Sequence, residues 1–293
     1  MPEARDARPG LRAIALTTAA MLAFAANSLL CRMALQHGGI DAASFGSIRL
    51  VSGAIALALI VRLQSRSRAD PAGRADWLAA AMLFAYVAFF SFAYLSLSAG
   101  TGALILFGAV QLTMLGAGLR AGEMFGPVAW SGFVLAVGGL IYLVSPGVTS
   151  PPPLGAALMA VAGVAWGVYS LRGRGVADPL AATARNFVRA APMALVLSAL
   201  LAGSAHADAG GIALAVASGA LTSGIGYVIW YAALPWLSAM RAATVQLSVP
   251  LIAAFGGVIF LSEAITPRLA FASVAILGGI ALVLRARAPR PRA

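Results

Sequence analysis

Long apolar stretches, separated by short connections that contain arginine, glycine or proline, follow one another along the chain. Most are close to 20 residues long, the length that an α-helix needs to cross a hydrocarbon layer about 30 Å thick. The pattern predicts an all-α polytopic membrane protein with ten transmembrane helices. They are expected at residues 13–35, 43–62, 76–97, 101–119, 124–144, 154–171, 181–202, 211–234, 239–261 and 267–284.

The composition agrees with a lipid environment. Hydrophobic residues make up 61% of the chain and charged residues only 10%, whereas soluble domains carry roughly 25% charged residues. The single cysteine, Cys31, excludes an internal disulfide, and two histidines, His37 and His206, are too few for a metal site to be expected. We therefore expect neither a metal nor another cofactor.

Two segments that lie half a chain apart are similar in sequence. Residues 123–144 read EMFGPVAWSGFVLAVGGLIYLV, and residues 263–284 read EAITPRLAFASVAILGGIALVL. Without a gap, both begin with glutamate, have proline four residues later and contain a Gly-Gly pair. Such a repeat in an apolar chain is typical of transporters that are built from two related halves.

The repeat also divides the chain. We predict a first five-helix repeat at 1–144, a Pro/Gly-rich linker at 145–153, a second five-helix repeat at 154–284 and a basic cytoplasmic tail at 285–293. Because each half has an odd number of helices, the second half enters the membrane from the opposite face. The predicted architecture is therefore an inverted 5+5 repeat around a central cavity.

The positive charge of the chain reflects topology as well. The net charge is +11, and all 20 basic residues are arginine. Most of these arginines lie at the two termini or in alternate connections, so the positive-inside rule places both termini in the cytoplasm. Contact with anionic lipid headgroups then accounts for the charge, and we expect no nucleic-acid partner.

The segment that closes each half has the pattern GE…P…G…GG, here Gly122-Glu123…Pro127…Gly132…Gly138-Gly139. The second copy, Ser262-Glu263…Pro267…Gly278-Gly279, has serine in place of the first glycine and no glycine between the proline and the Gly-Gly pair, where Ser273 lies. On these motifs the chain resembles EamA-type members of the drug/metabolite transporter superfamily, and it is similar to bacterial exporters of amino acids, including aromatic amino acids. The resemblance implies a multi-pass protein of the bacterial cytoplasmic (inner) membrane that exports its substrate by alternating access.

Aromatic residues in helices three and eight are the main candidates for a substrate site. Tyr86, Phe90 and Tyr94 recur every four residues and form one helical stripe. Polar side chains on neighbouring helices, such as Asn27 and Gln111, need a partner or water and should face the interior. The alternative is that the aromatic rings face lipid or the membrane interface. The predicted substrate-binding residues are Asn27, Ser28, Tyr86, Phe90, Tyr94, Gln111, Trp166, Tyr169, Ser170, Tyr227, Trp230, Tyr231, Gln246 and Ser248.

Two glutamates and three prolines are assigned structural or gating roles: Glu123, Pro127, Pro250, Glu263 and Pro267. Each glutamate precedes a helix whose first turn contains proline, a place where a carboxylate caps backbone amides and opposes the helix dipole. We favour this role over proton transfer, because the predicted topology puts both glutamates near a membrane surface.

No Asp, Glu, Lys or His lies near the middle of a predicted helix. Carriers driven by a proton or sodium gradient usually have a carboxylate at depth, so we expect facilitated diffusion. Arg49, Arg185 and Arg189 lie near predicted helix ends. Snorkelling to the membrane surface is the favoured role for these three arginines, and binding of a substrate carboxylate is the alternative.

The combined prediction is a transporter and not an enzyme, since no Ser/His/Asp set and no pair of carboxylates lies at depth. The expected substrates are small amphipathic metabolites, above all aromatic or other large neutral amino acids. Membrane lipid is the only other expected partner, and the protein is expected to be a monomer. The alternatives are an exporter of another metabolite or drug, such as a nucleobase, a vitamin or a hydrophobic cation, and a membrane scaffold that transports nothing.

Overall fold

The computed structural model describes residues 10–64, 76–122, 126–147, 149–173, 176–237 and 245–286. Within these ranges the chain forms ten helices, joined by short connections, and an isolated bridge between Ile40 and Ala207. The helices are α1 Leu11–Gln36, α2 Ala42–Gln64, α3 Trp77–Ala93, α4 Ala99–Arg120, α5 Pro127–Val144, α6 Pro153–Arg172, α7 Pro179–Leu200, α8 Ala209–Trp236, α9 Ser248–Leu261 and α10 Pro267–Ala286.

Seven of the described helices are long and apolar enough to cross a membrane, and α3 and α9 are shorter apolar helices. The tenth, α7, is 22 residues long but contains the polar residues Arg185, Asn186 and Arg189. The predicted all-α polytopic fold is thus confirmed. The expected tail at 285–293 and the first part of the expected ninth helix lie largely outside the described residues.

Helix starts follow local chemistry that is visible in the sequence. Asp76, Asp178 and Asp208 each precede a helix, and in each case the carboxylate accepts a hydrogen bond from a backbone N–H in the first turn. Ser98 does the same for α4. Proline occupies the first turn of α5, α6 and α7, where its missing N–H leaves no intrahelical bond unmade.

The main contacts between a helix of the first half and a helix of the second have counterparts in which the two halves are swapped. α1 packs on α8 and α9, and α6 packs on α3 and α4; α2 packs on α7, α4 on α9, and α5 on α10. Exchanging α1–α5 with α6–α10 maps these contacts onto one another. This exchange is the relation expected of two similar five-helix units that face opposite ways across one interface.

The contact between α5 and α10 depends on glycine. A Cβ atom on Gly132 would meet the backbone oxygen of Gly279, and a Cβ on Gly279 would meet that of Gly132. Gly139 likewise faces α10 closely, whereas Gly138 and Gly278 have open space around the Cβ position. Only the second member of each Gly-Gly pair is therefore needed for the close approach of the helix backbones.

Candidate functional site

A cavity of about 700 Å³ lies between α1, α3, α4, α6, α7 and α8. It opens at the end of the bundle where α3 and α7 begin and α6 ends, near Asp76, Arg172 and Pro179; this is called the open end below. Towards the opposite end, the closed end, the cavity reaches Asn27 on α1 and Phe90 on α3. Its volume falls within the range of about 300–1,000 Å³ that is usual for small-molecule sites.

The structure brings twelve of the fourteen predicted substrate-binding residues to the wall of this cavity. They come from α1, α3, α4, α6 and α8 and from the segment before α9. They are Asn27, Ser28, Tyr86, Phe90, Gln111, Trp166, Tyr169, Ser170, Tyr227, Trp230, Tyr231 and Gln246.

The other two predicted residues, Tyr94 and Ser248, lie elsewhere. Tyr94 is fully buried just beyond the end of α3; its ring packs against Gly102, and its hydroxyl donates to the carbonyl oxygen of Ala99 at 3.2 Å. Ser248 begins α9, and its hydroxyl donates to the carbonyl oxygen of Val245 at 2.7 Å. Tyr94 therefore belongs to the closed end, and Ser248 belongs to a helix start.

The aromatic part of the wall is assembled from both halves. The rings of Trp166 and Tyr227 are nearly parallel, with centroids 5.6 Å apart and an angle of 14° between their planes. The ring centroid of Tyr86 lies 4.8 Å from that of Trp166, and Trp230 meets Phe24 edge-on at 5.9 Å. Flat aromatic surfaces of this kind suit the burial of a planar or large apolar group.

A buried hydrogen-bond network forms part of the same wall. The amide nitrogen of Asn27 donates to the Tyr86 hydroxyl at 3.2 Å, and Nη2 of Arg49 donates to the same hydroxyl at 3.1 Å. Oδ1 of Asn27 accepts from Ser218 at 2.6 Å and from Thr222 at 3.2 Å. The network thereby joins α1, α2, α3 and α8.

An unusual backbone in α8 supports this network. Ala217–Ile225 is π-helical, between α-helical turns at Ala209–Val216 and Gly226–Ala233. The wider π turn brings Ser218, Thr222 and Ser223 together on the side that faces α1 and α2. π-helical insertions are rare in proteins as a whole, and those that occur often lie at functional sites.

Arg49 differs from the favoured expectation. The sequence predicted a snorkelling side chain, but only 1% of Arg49 is exposed, and its guanidinium points into the bundle. Nε donates to the hydroxyl of Ser223 at 3.3 Å, and the guanidinium carbon lies 5.1 Å from the ring centroids of both Tyr86 and Phe90. The guanidinium is therefore stabilised by polar and aromatic side chains of α3 and α8 in the interior and not by the membrane surface.

Arg185 and Arg189 do lie towards the open end, where both line the cavity, and Arg189 sits over the ring of Trp77 at 5.8 Å. At the same end, Nε of Arg172 contacts Oδ2 of Asp76 at 2.8 Å. Burial alone would raise the pKa of Asp76. The hydrogen bond from Arg172 and those from backbone N–H groups outweigh burial and hold this pKa below its ordinary value of 3.8.

The closed end is held by a second ion pair. Nε of Arg32, near the end of α1, lies 3.2 Å from Oε1 of Glu263, and Oε2 accepts from the backbone N–H of Ala99 at 2.8 Å. Glu263 was expected to cap the helix that follows it, so this placement is a correction. The left-handed backbone of Ser262 turns the carboxylate away from α10 and towards α4.

The remaining predicted structural residues are placed as follows. Pro127 and Pro267 are the first residues of α5 and α10, and Pro250 is buried in the first turn of α9. Glu123 lies outside the described residues.

Several wall residues were not predicted from the sequence. Phe107 and Met114 lie four and three residues from Gln111 on α4, so helical spacing from that glutamine was a usable signal. Thr222 and Ser223 had no such signal, because the π-helical turn that orients them breaks the normal helical period.

Residues 153–285 match the sequence model of the EamA-like transporter family. Over 282 residues the chain is 54% identical to the uncharacterized protein PA1977 of Pseudomonas aeruginosa, covering 96% of this chain and 98% of that protein. A solved structure titled only "Crystal structure of protein" superposes with a TM-score of 0.66 at 18% identity, covering 94% of this chain and 99% of its own. At that identity, the likeness to the solved structure concerns the fold alone.

Proposed function

This chain belongs to the EamA-like transporter family, and we propose that it carries small amphipathic metabolites across a bacterial inner membrane. The proposed substrates are aromatic or other large neutral amino acids, which are exported by alternating access. The observation on which the proposal rests is a cavity that is open at one end, sealed at the other and walled by aromatic rings from both halves.

The size and surface of the cavity support this substrate class. A volume of about 700 Å³ accommodates one amino acid with water. Trp166 and Tyr227 offer a flat surface for an aromatic side chain, and polar groups such as Asn27 and Gln111 can orient its polar end. Sites of this kind combine a mostly apolar wall with a few placed polar groups.

The arginines at the two ends of the helix bundle support export as the direction of transport. Described arginines at the helix ends on the open side are Arg12, Arg62, Arg120, Arg172 and Arg285, whereas those on the closed side are Arg32 and Arg268. By the positive-inside rule, the open end faces the cytoplasm. A substrate from the cytoplasm then has direct access to the cavity, as export requires.

The positions of the described carboxylates support transport without ion coupling. Each lies at a helix end or in a connection and is already bonded to a backbone N–H or an arginine, so none is left at mid-membrane to carry a proton. They are Asp41, Asp76, Asp178, Asp208 and Glu263.

Counterflow in reconstituted vesicles tests the proposal. The purified protein is expected to exchange radiolabelled phenylalanine saturably, and collapse of the proton gradient should leave the exchange intact. Trp166→Ala removes one aromatic surface of the wall, so half-saturation should rise about 2- to 12-fold, equivalent to roughly 0.5–1.5 kcal/mol. The matched control is Trp130→Ala, on the outer face of α5, where the tryptophan is 47% exposed.

Two outcomes would contradict the proposal. Absence of saturable exchange for every large neutral amino acid would favour a different substrate or a scaffold. An equal loss of exchange in the Trp130 and Trp166 variants would mean that both act through protein integrity and not through the cavity wall.

A further inference from the structure

We propose that the cavity contains a carboxylate-binding subsite formed by Arg49 and the hydroxyl of Tyr86, so that the transported solute must carry a carboxylate. The inference deepens the proposed function and rests on it. It concerns which part of an amphipathic solute is recognised, and it separates acids and zwitterions from amines and neutral solutes.

The first observation is a buried cation without an anionic partner. Arg49 is 1% exposed and lies about 10 Å along α2 from the helix start. No carboxylate of the described ranges forms an ion pair with it, and its Nη1 atom has no hydrogen-bond partner there. An isolated charge in a low-dielectric interior is strongly unfavourable unless it is paired.

The protein supplies partial compensation. The guanidinium lies over the faces of Tyr86 and Phe90, both at 5.1 Å, and its other nitrogens donate to two hydroxyl groups. Cation–π contacts and neutral acceptors stabilise the charge by a few kcal/mol at most. A carboxylate in place of one of these hydroxyl groups would form a charge-assisted hydrogen bond with the guanidinium, the strongest kind that a guanidinium forms.

The second observation is the bonding of the Tyr86 hydroxyl. Its oxygen accepts two hydrogen bonds, from Nδ2 of Asn27 and from Nη2 of Arg49, and a phenolic O–H group both accepts and donates. Its own proton therefore remains as a donor, and Tyr86 lines the cavity. The cation on the acceptor side polarises this O–H group and strengthens it as a donor.

Arg49 is not itself on the cavity wall, and it faces the cavity through two partners that are. Arg49 lies directly behind Tyr86 and Ser223, the two residues it binds, and both of these line the cavity. A carboxylate beside them would accept from the Tyr86 O–H and replace a hydroxyl as the partner of the guanidinium. The rings of Trp166 and Tyr227, within reach of Tyr86, then receive the apolar part of the same solute.

The charges along the cavity favour the same ligand. Arg185 and Arg189 line the route from the open end, and the described acidic residue on the wall, Asp76, is already paired with Arg172. Such a route attracts anions and disfavours a solute that carries only a positive charge.

A purely structural role for Arg49 is the competing explanation, since the side chain also connects α2 to α3 and α8. The two roles differ in ligand selectivity. A brace affects stability and leaves the preference among ligands unchanged, whereas a binding group changes the preference itself.

The test uses four probes that share one phenyl ring: phenylalanine, phenylalanine amide, 3-phenylpropionate and phenethylamine. Binding to the purified full-length protein is measured by thermal shift, and transport by inhibition of phenylalanine counterflow. In the wild type, the two probes with a carboxylate, phenylalanine and 3-phenylpropionate, should bind about 10- to 100-fold more tightly than phenylalanine amide and phenethylamine. In Arg49→Gln this preference should fall to about twofold, and Tyr86→Phe should reduce it while keeping the charge.

Arg62→Gln is the matched control, because it removes an exposed arginine from the same helix, and it should keep the wild-type preference. If Arg49→Gln does not fold, the wild-type probe series and Tyr86→Phe still decide. Equal affinity of the wild type for phenylalanine and phenylalanine amide overturns the inference. So does a preference for carboxylate probes that is unchanged in both Arg49→Gln and Tyr86→Phe. Acid-selective binding without counterflow contradicts the proposed transport and leaves the subsite standing, and absence of binding by all four probes overturns both.

Discussion

We expect the ion pair between Arg32 and Glu263 to determine how tightly the closed end is sealed. One carboxylate oxygen binds Nε of Arg32 at 3.2 Å, and the other binds the N–H of Ala99 at 2.8 Å. Arg32 also donates from Nη1 to the carbonyl oxygen of Tyr94 at 2.9 Å. A single carboxylate thus connects the end of α1 and the start of α4, and its arginine partner extends the contact to the end of α3.

Glu263→Gln keeps the shape of the side chain and removes its charge. The side chains of Arg32 and Glu263 are 19% and 13% exposed, so water screens the pair only in part. Fully exposed pairs contribute about 0.2–1 kcal/mol, and hydrogen bonds to charged groups about 1.5–3 kcal/mol. We therefore expect a loss of about 1–3 kcal/mol, which raises the population open at this end about 5- to 150-fold.

Cys31 is a built-in reporter of this opening. It is the single cysteine of the chain, it is fully buried, and it directly precedes Arg32 on α1. In vesicles, a membrane-impermeant maleimide added on the closed side should label Cys31 slowly in the wild type. The labelling rate should rise by the same 5- to 150-fold in Glu263→Gln and in Arg32→Gln, with little further gain in the double variant.

Asp178→Asn is the control, since it makes the same carboxylate-to-amide change at the other end of the bundle, where asparagine caps a helix equally well. Its labelling rate should match that of the wild type. Equal rates in the wild type and Glu263→Gln, measured well below the melting temperature, would refute the role of this ion pair in sealing the cavity.

Three further outcomes are expected. Gly279→Ala should lower the melting temperature in detergent, because the added Cβ meets the backbone of α5 and overpacking there costs about 1–3 kcal/mol, whereas Gly278→Ala, with open space, should not; equal effects would contradict the packing. Asp76→Asn should lower stability relative to the wild type at pH 5–8. Because the pKa of Asp76 is lowered in the folded protein, its ion pair stabilises above 3.8, and the difference should disappear as the pH falls through the lowered value; a difference that persists in acid would exclude this ion pair as its cause. Cysteines at Ala121 and Thr149, both exposed, should be labelled from opposite membrane faces, and labelling from one face would overturn the topology.

Much of the fold was predictable because it depends on local pattern. The lengths of the apolar stretches predicted ten helices, and capping residues such as Asp76 and Ser98 mark where α3 and α4 begin. Most aromatic residues of the cavity wall were predicted from the sequence, and so were the amides Asn27 and Gln111, which lipid would not stabilise. Tyr94 shows the limit of this reasoning: it continues the stripe of Tyr86 and Phe90, but it lies one turn nearer the closed end than Phe90, beyond the cavity.

What could not be predicted depends on contacts between distant segments. Arg49 lies near a helix end, so snorkelling was reasonable; its inward direction depends on Tyr86, 37 residues away, and Ser223, 174 residues away. Glu263 likewise caps a helix that begins 164 residues earlier in the chain. Neither partner is encoded in the local sequence around the charged residue.

The hydrogen-bond network around the proposed subsite and the sealed end share two helices, α1 and α3. On α1, Asn27 and Arg32 are about 7.5 Å apart along the axis, and on α3 the rings of Tyr86 and Phe90 lie 5.3 Å apart. Phe90 in turn contacts Tyr94, with ring centroids 4.7 Å apart, and the Tyr94 carbonyl oxygen accepts from Arg32.

A ligand shifts a conformational equilibrium of the protein only if it binds the two conformations with different affinities. A carboxylate bound by Arg49 and Tyr86 changes their contact and acts on α3 near the residues that hold the seal. Saturating phenylalanine should therefore change the labelling rate of Cys31 in the wild type and leave it unchanged in Arg49→Gln; an equal ligand effect in both proteins would separate the subsite from the seal.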